Sequence, residues 1–137
     1  MSRFAGVMTE ARPELWRFKQ YDLSQHTKTE RLVYLDQDPN DPDKTFESSK
    51  EYSLCSIDIP GKALFLEFVD SWHGAVVMNV LEDENSPMKP NKLLIAEFGE
   101  KLPKGQFAYV GSVKGGDKQR YVFAVSNINP YVEKEKR

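Results

Sequence analysis

Two histidines, one cysteine and a run of aspartates mark the places where this 137-residue chain could do chemistry. Nucleophilic catalysis needs a nucleophile beside a base, with a third group to orient that base. His73 sits in Ser71-Trp72-His73-Gly74 with no recognisable motif around it, and reads as a residue of a short hairpin loop. His26, in Gln25-His26-Thr27-Lys28, is expected in solvent. Cys55 lies between Leu54 and Ile57, where a thiol packs as a small apolar group and stays unreactive. No phosphate-cradling glycine loop, dinucleotide fingerprint or paired-histidine metal motif is present. The reading is therefore of no catalytic residues, no cofactor and no enzyme.

One spacing resembles a metal site. Asp36, Asp38 and Asn40, with Glu47 at the twelfth place, follow the ligand order of an EF-hand-type calcium loop. Alternate oxygens would converge on a hard cation, and the last carboxylate would close the shell. Asp41 occupies the sixth place, where the sharp turn wants glycine, and Pro39 and Pro42 stiffen the segment. A solvated acidic loop is the preferred reading of residues 36–43.

Aromatic residues interleaved with bases carry the binding chemistry. The pattern occurs at Arg3-Phe4, at Trp16-Arg17-Phe18-Lys19, and around Tyr109, Lys114, Lys118, Arg120, Tyr121 and Phe123. Trp72 and His73 add a fourth patch. Stacked nucleobases would contribute roughly 1–3 kcal/mol each on such rings, with Lys and Arg following the phosphates. Against that stands an isoelectric point near 5.7, without the global basic footprint of a nucleic-acid binder. The charge is also segregated. Residues 1–35 carry six bases and four acids, residues 36–84 three bases and twelve acids, and residues 85–137 ten bases and five acids. Blocks of this kind steer partner choice even when the net charge is only −2.

These side chains need a scaffold, and 137 residues suffice for one hydrophobic core. A lone cysteine excludes an internal disulfide and a four-cysteine zinc site. No apolar run reaches the length of a membrane span, and the first ten residues lack the apolar core of a secretory signal. A cytoplasmic home without membrane contact is the expectation.

Short apolar runs separated by turn residues point to a mainly β chain. Runs are read at 30–35, 51–59, 63–69, 74–81, 92–98, 106–113 and 119–127. In the second, the apolar positions move from even (Tyr52, Leu54) to odd (Ile57, Ile59), which suggests a bulge near Cys55-Ser56. Residues 63–69 and 74–81 are apolar on both parities, as in strands covered on both faces. Residues 82–91 read as a polar connection. A three-residue loop at 115–117 would set Tyr109 opposite Phe123 and Gly111 opposite Tyr121. The segment from Pro13 to Tyr21 fits a short helix or an edge strand.

The expectation is a single domain: an uncertain segment at 1–28, a β core at 29–128 and a flexible charged tail at 129–137. Its fold would be a small β-barrel or a two-sheet antiparallel sandwich of about seven strands. Its function would be a non-enzymatic binding module for a macromolecular partner, with protein preferred. The runner-up is a single-stranded nucleic-acid binder using the 106–127 hairpin and its flanking Lys and Arg residues.

Overall fold

The computed structural model describes residues 13–71 and 74–132. Arg3, Phe4, Trp72, His73 and the last five residues lie outside the described residues. A 3-10 turn at Pro13–Leu15 leads into β1 (Arg17–Asp22), so the ambiguous N-terminal segment holds a short helical turn followed by a strand. A second 3-10 turn, Leu23–His26, precedes β2 (Thr27–Asp38) and β3 (Asp41–Pro60). Then come β4 (Ala63–Asp70), β5 (Val76–Glu82), β6 (Met88–Glu97), β7 (Gly105–Lys114) and β8 (Arg120–Ile128).

All eight strands form one sheet in the order β1-β5-β4-β7-β8-β6-β3-β2. The chain is thus mainly β, as its turn punctuation indicates. The sheet is mixed rather than antiparallel, because β4 and β7 pair in parallel at Phe68↔Val113 and Val69↔Lys114. It is not closed into a barrel. Nor is it flat. Strands 4.7–4.9 Å apart would put the first and eighth about 33 Å from each other. Yet β1 and β2, the two edges, are joined only by the four residues Leu23–His26, a reach of about 18 Å at most. The sheet must curl, and Leu23, fully buried, is set into its core.

Two cores lie on opposite faces of this sheet. The larger gathers Leu23, Cys55, Ile57, Phe68, Met78, Val80, Leu93 and Val122 among others. The smaller holds Leu32, Tyr52, Leu54 and Leu94, with Phe107, Phe123, Val125 and Ile128 against it. This arrangement explains the parity change in β3. No bulge exists there, since the register with β6 runs unbroken from Ser53↔Ile95 to Pro60↔Met88. Tyr52 and Leu54 serve one core, and Cys55, Ile57 and Ile59 serve the other.

Other expectations need correction. The acidic stretch is ladder up to Asp38, with Asp38 opposite Asp41 across Pro39-Asn40. The register shift after Gln37 places three unpaired residues, 42–44, on β3, and the Gln37 side-chain amide donates to the Pro42 carbonyl at 2.7 Å. Pro42 is tolerated because this end of β3 extends beyond β6 and has only one partner strand. In β5 burial alternates strictly, so β5 is fully buried on one face only. That alternation carries Glu82 inward, to 1% exposure, at the end of the strand rather than in a polar connection. Residues 129–132 are not a free tail. Pro130 bridges Leu32, and the Tyr131 amide donates to the Arg31 carbonyl at 3.0 Å.

The last hairpin holds the expected Tyr109↔Phe123 pair but not the three-residue loop, since the connection runs over 115–119 and sets Val113 opposite Arg120. A bulge at Val110 then shifts the register, so Gly111 faces Val122 and Ser112 faces Tyr121. The same bulge turns β7 over. Phe107 packs on the smaller core, whereas Val113 belongs to the larger one. A Cβ on Gly111 would lie 3.2 Å from the Phe68 ring, so the strand passes close over that side chain. Among the described residues no helix is long and apolar enough to cross a membrane.

Met78→Ala and Leu94→Ala remove one fully buried side chain from each core. Each is expected to cost about 2–5 kcal/mol in urea unfolding. A Leu94→Ala midpoint equal to the parent's would mean that the smaller cluster is not a core at all.

Candidate functional site

Two clefts open on the curled sheet. The first, about 860 Å³, lies where the β4–β5 and β7–β8 connections meet, and its lining includes Asp70, Ser71, Gly74, Gly116, Lys118 and Arg120. Arg120 opens β8 on the face of the larger core, since its partner Val113 and its neighbour Val122 both belong there. Its guanidinium Nη2 meets Asp70 Oδ2 at 2.5 Å, with side-chain exposures of 14% and 11%. Nη1 donates to the Gly74 carbonyl at 3.0 Å. The ion pair therefore ties the first connection to the second. Gly116, at φ +84, lies so close that an added Cβ would stand 2.0 Å from Asp70 Oδ2, and only glycine fits there.

The remaining charges of this cleft are mostly spoken for. Lys118 lies 3.2 Å from Glu97. Glu100 bonds the Lys50 ammonium and accepts from the Glu97 amide at 2.7 Å. Ser24, Ser53 and Ser71 line the cleft. The arrangement is a charge-paired lock between two turns.

The second cleft, about 720 Å³, lies between the edges of the sheet. Tyr21 and His26 line one side, Ser56, Ile57 and Asp58 another, and Lys92 also borders it. Beside it Glu82 is buried with two partners from β1. Tyr21 Oη donates to Glu82 Oε1 at 2.5 Å, and Arg17 lies 3.6 Å from Oε2. Arg17 also pairs with Glu84 at 2.6 Å. Burial first, then the Glu82 carboxylate, pushes the Tyr21 hydroxyl far above its ordinary range. This cluster pins β1 to β5. Its sequence signal was the period of β5, because Val76, Met78, Val80 and Glu82 share one parity.

The residues singled out for binding are thus dispersed. Trp16 is buried at 8% exposure, since a large indole gains more from packing than from display. Phe18, two residues on, is 79% exposed. Lys19 holds its ammonium 5.7 Å from the Tyr21 ring centroid. Tyr109 is 53% exposed and meets Phe123 edge to face at 5.6 Å. Tyr121 is half-buried on the same face of β8 as Phe123. Lys114 lies 3.4 Å from Glu67. The patch at Trp72 and His73 lies outside the described residues, although its neighbours Ser71 and Gly74 line the first cleft beside Arg120.

The acidic spacing does not form a site. Asp36 pairs with Phe46 and Glu47 with Leu35, so the two carboxylates project from opposite faces of the hairpin. Asp36 lies 2.7 Å from Lys101, Glu47 lies 2.6 Å from Lys104, and Asp38 accepts from the Asn40 amide at 2.9 Å. Among the described residues no group of three or more His, Cys, Asp or Glu side chains could hold a metal ion.

No family model, curated protein or solved structure matches this chain.

Removing one member of the buried ion pair strands the other. Asp70→Ala is expected to cost about 3–5 kcal/mol, and Asp70→Ala with Arg120→Met should recover most of it in urea unfolding. Alkali should also weaken the fold. Burial pushes the Cys55 thiol from 9.0 up to about 11, and burial with the nearby Glu100 charge pushes the Tyr52 hydroxyl from 10.0 up to about 12. Both groups hold their protons more tightly when folded. Their contribution is complete below the unfolded values and is lost as pH rises through the folded ones. Thermal melts from pH 8 to 11 should show a falling midpoint, and Tyr52→Phe should flatten the upper part of that fall.

Proposed function

We propose that this chain is a non-enzymatic binding module whose partner is another protein, engaged at β1. The observation that carries the reading is the free edge of that strand. β1 pairs with β5 on one side, and among the described residues no other strand is its neighbour in the sheet. At this edge Phe18 projects almost fully into solvent, and Tyr21 of the same strand lines the second cleft. An exposed aromatic next to unpaired backbone is the kind of feature that anchors protein interfaces.

The nucleic-acid reading has less support. Its hairpin bases each lie near a carboxylate, Lys114 by Glu67, Lys118 by Glu97 and Arg120 by Asp70. A phosphate would have to displace those partners. An intracellular setting is part of the proposal, resting on the single cysteine and its buried thiol.

Affinity capture from the source cells tests it, comparing the parent with Phe18→Arg and Tyr109→Ala, all three verified as folded by circular dichroism. The expected result is a protein retained by the parent and Tyr109→Ala and lost with Phe18→Arg. Salt-sensitive binding of a single-stranded oligonucleotide that depends on Tyr109 would replace the proposal with the runner-up.

A further inference from the structure

Building on the protein-binding reading, we propose that β1 is a strand-addition site for an extended, acidic segment of the partner. Two unpaired backbone edges border the second cleft. One is β1, whose six residues Arg17–Asp22 pair, among the described residues, with β5 alone. The other is the end of β3. β2 begins at Thr27, opposite Cys55, so residues 56–60 bond to β6 on one side and, among the described residues, to no strand on the other. The 3-10 turn at Leu23–His26 follows β1 and packs against β3, and Tyr21, His26, Ser56 and Asp58 share the lining of the cleft. An extended segment lying along β1 would use its outward N–H and C=O groups, which is how peptides add to exposed sheet edges.

The side chains of β1 select the occupant. Arg17, Lys19 and Tyr21 share the parity that faces the larger core, since Lys19 pairs with Val80 and Tyr21 with Met78. Arg17 is engaged by Glu82 and Glu84. Lys19 is exposed and rests on a ring instead of a carboxylate. A charge on the core-facing side of an edge strand discourages pairing with a like strand. A second copy docked about a two-fold axis through Lys19 would oppose one ammonium with another. An incoming strand with a carboxylate beside Lys19 satisfies it. The opposite parity presents Phe18, which wants an apolar neighbour across the strand pair. The selected segment therefore alternates acidic and apolar residues over about six positions, the usual length of a strand.

The probe is a fluorescein-labelled peptide of alternating valine and glutamate, about six residues long, with two controls. One has lysine in place of glutamate, and the other has alternate backbone amides methylated. Anisotropy should give saturable binding to the parent protein, about tenfold weaker for either control and for Lys19→Gln, while hydrogen exchange slows at amides within 17–22. Equal binding of the lysine peptide, unchanged exchange in β1, or dimerisation of the protein through β1 would each overturn the proposal. Failure here with the Phe18-dependent capture intact would remove strand addition and leave the binding module standing. Loss of that capture as well would remove both.

Discussion

A four-residue tether between opposite edges of one sheet governs this molecule. β1 and β2 close the strand order at its two ends, yet Leu23–His26 is all that separates them in the chain. The tether is firmly built. Asp22 accepts from the Ser24 amide at 3.0 Å, Thr27 Oγ1 donates to the Leu23 carbonyl at 2.6 Å, and the Leu23 side chain enters the larger core. A sheet held this way must wrap one face around that core. Its other face is then free to gather a second, smaller core under the connection before β7 and the segment after β8. Tyr52 joins the two layers, with its hydroxyl donating to the Lys101 carbonyl at 2.6 Å.

Ion pairing follows the same geometry. Buried or half-buried pairs fasten the sheet, Asp70 with Arg120 between two turns and Glu82 with Arg17 and Tyr21 between the neighbouring strands β5 and β1. Across the outward face, polar side chains instead form a chain: Gln20 donates to Asn79 and Asn79 to Glu67 at 3.1 Å each, and Lys114 lies 3.4 Å from Glu67. That chain crosses β1, β5, β4 and β7. Exposed contacts of this type contribute at most about 1 kcal/mol each, so the desolvated pairs matter more to the fold. Four acids of the middle block, Asp36, Glu47, Glu67 and Asp70, meet bases from the C-terminal third, so segregation along the chain is partly undone in the fold.

The strands were legible because period-2 burial is local. Tyr109 opposite Phe123 is the reading of a three-residue loop at 115–117, and the pair holds only because the bulge at Val110 offsets the longer connection that sets Val113 opposite Arg120. What escaped were features set by partners distant in sequence. The parity change in β3 looks like a bulge in isolation and is a change of core in the folded chain. The bulge at Val110 leaves no local trace, because Gly111 and Val113 continue the parity of Phe107 and Tyr109 on paper. The parallel β4–β7 seam, only two residue pairs long, has no sequence signature. Of the candidate site, Phe18 and Lys19 were legible as interleaved aromatic and base. The free edge that gives them a role depends on strand order, which no single segment encodes.

An unpaired edge beside a cleft is costly to maintain, since such edges invite aggregation unless they are blunted. Two devices compete here. Lys19 blunts the edge on the core-facing side, while Phe18 keeps an apolar contact open on the other. A strand needing only solubility would carry charge on both parities. A strand needing only to bury itself would leave neither residue exposed. The combination restricts pairing to a neighbour that is acidic on one face and apolar on the other. The buried Glu82 holds this edge in place through Tyr21 and Arg17, so β1 presents its pattern as a strand already formed. A preformed strand loses little conformational freedom on pairing, and that favours association.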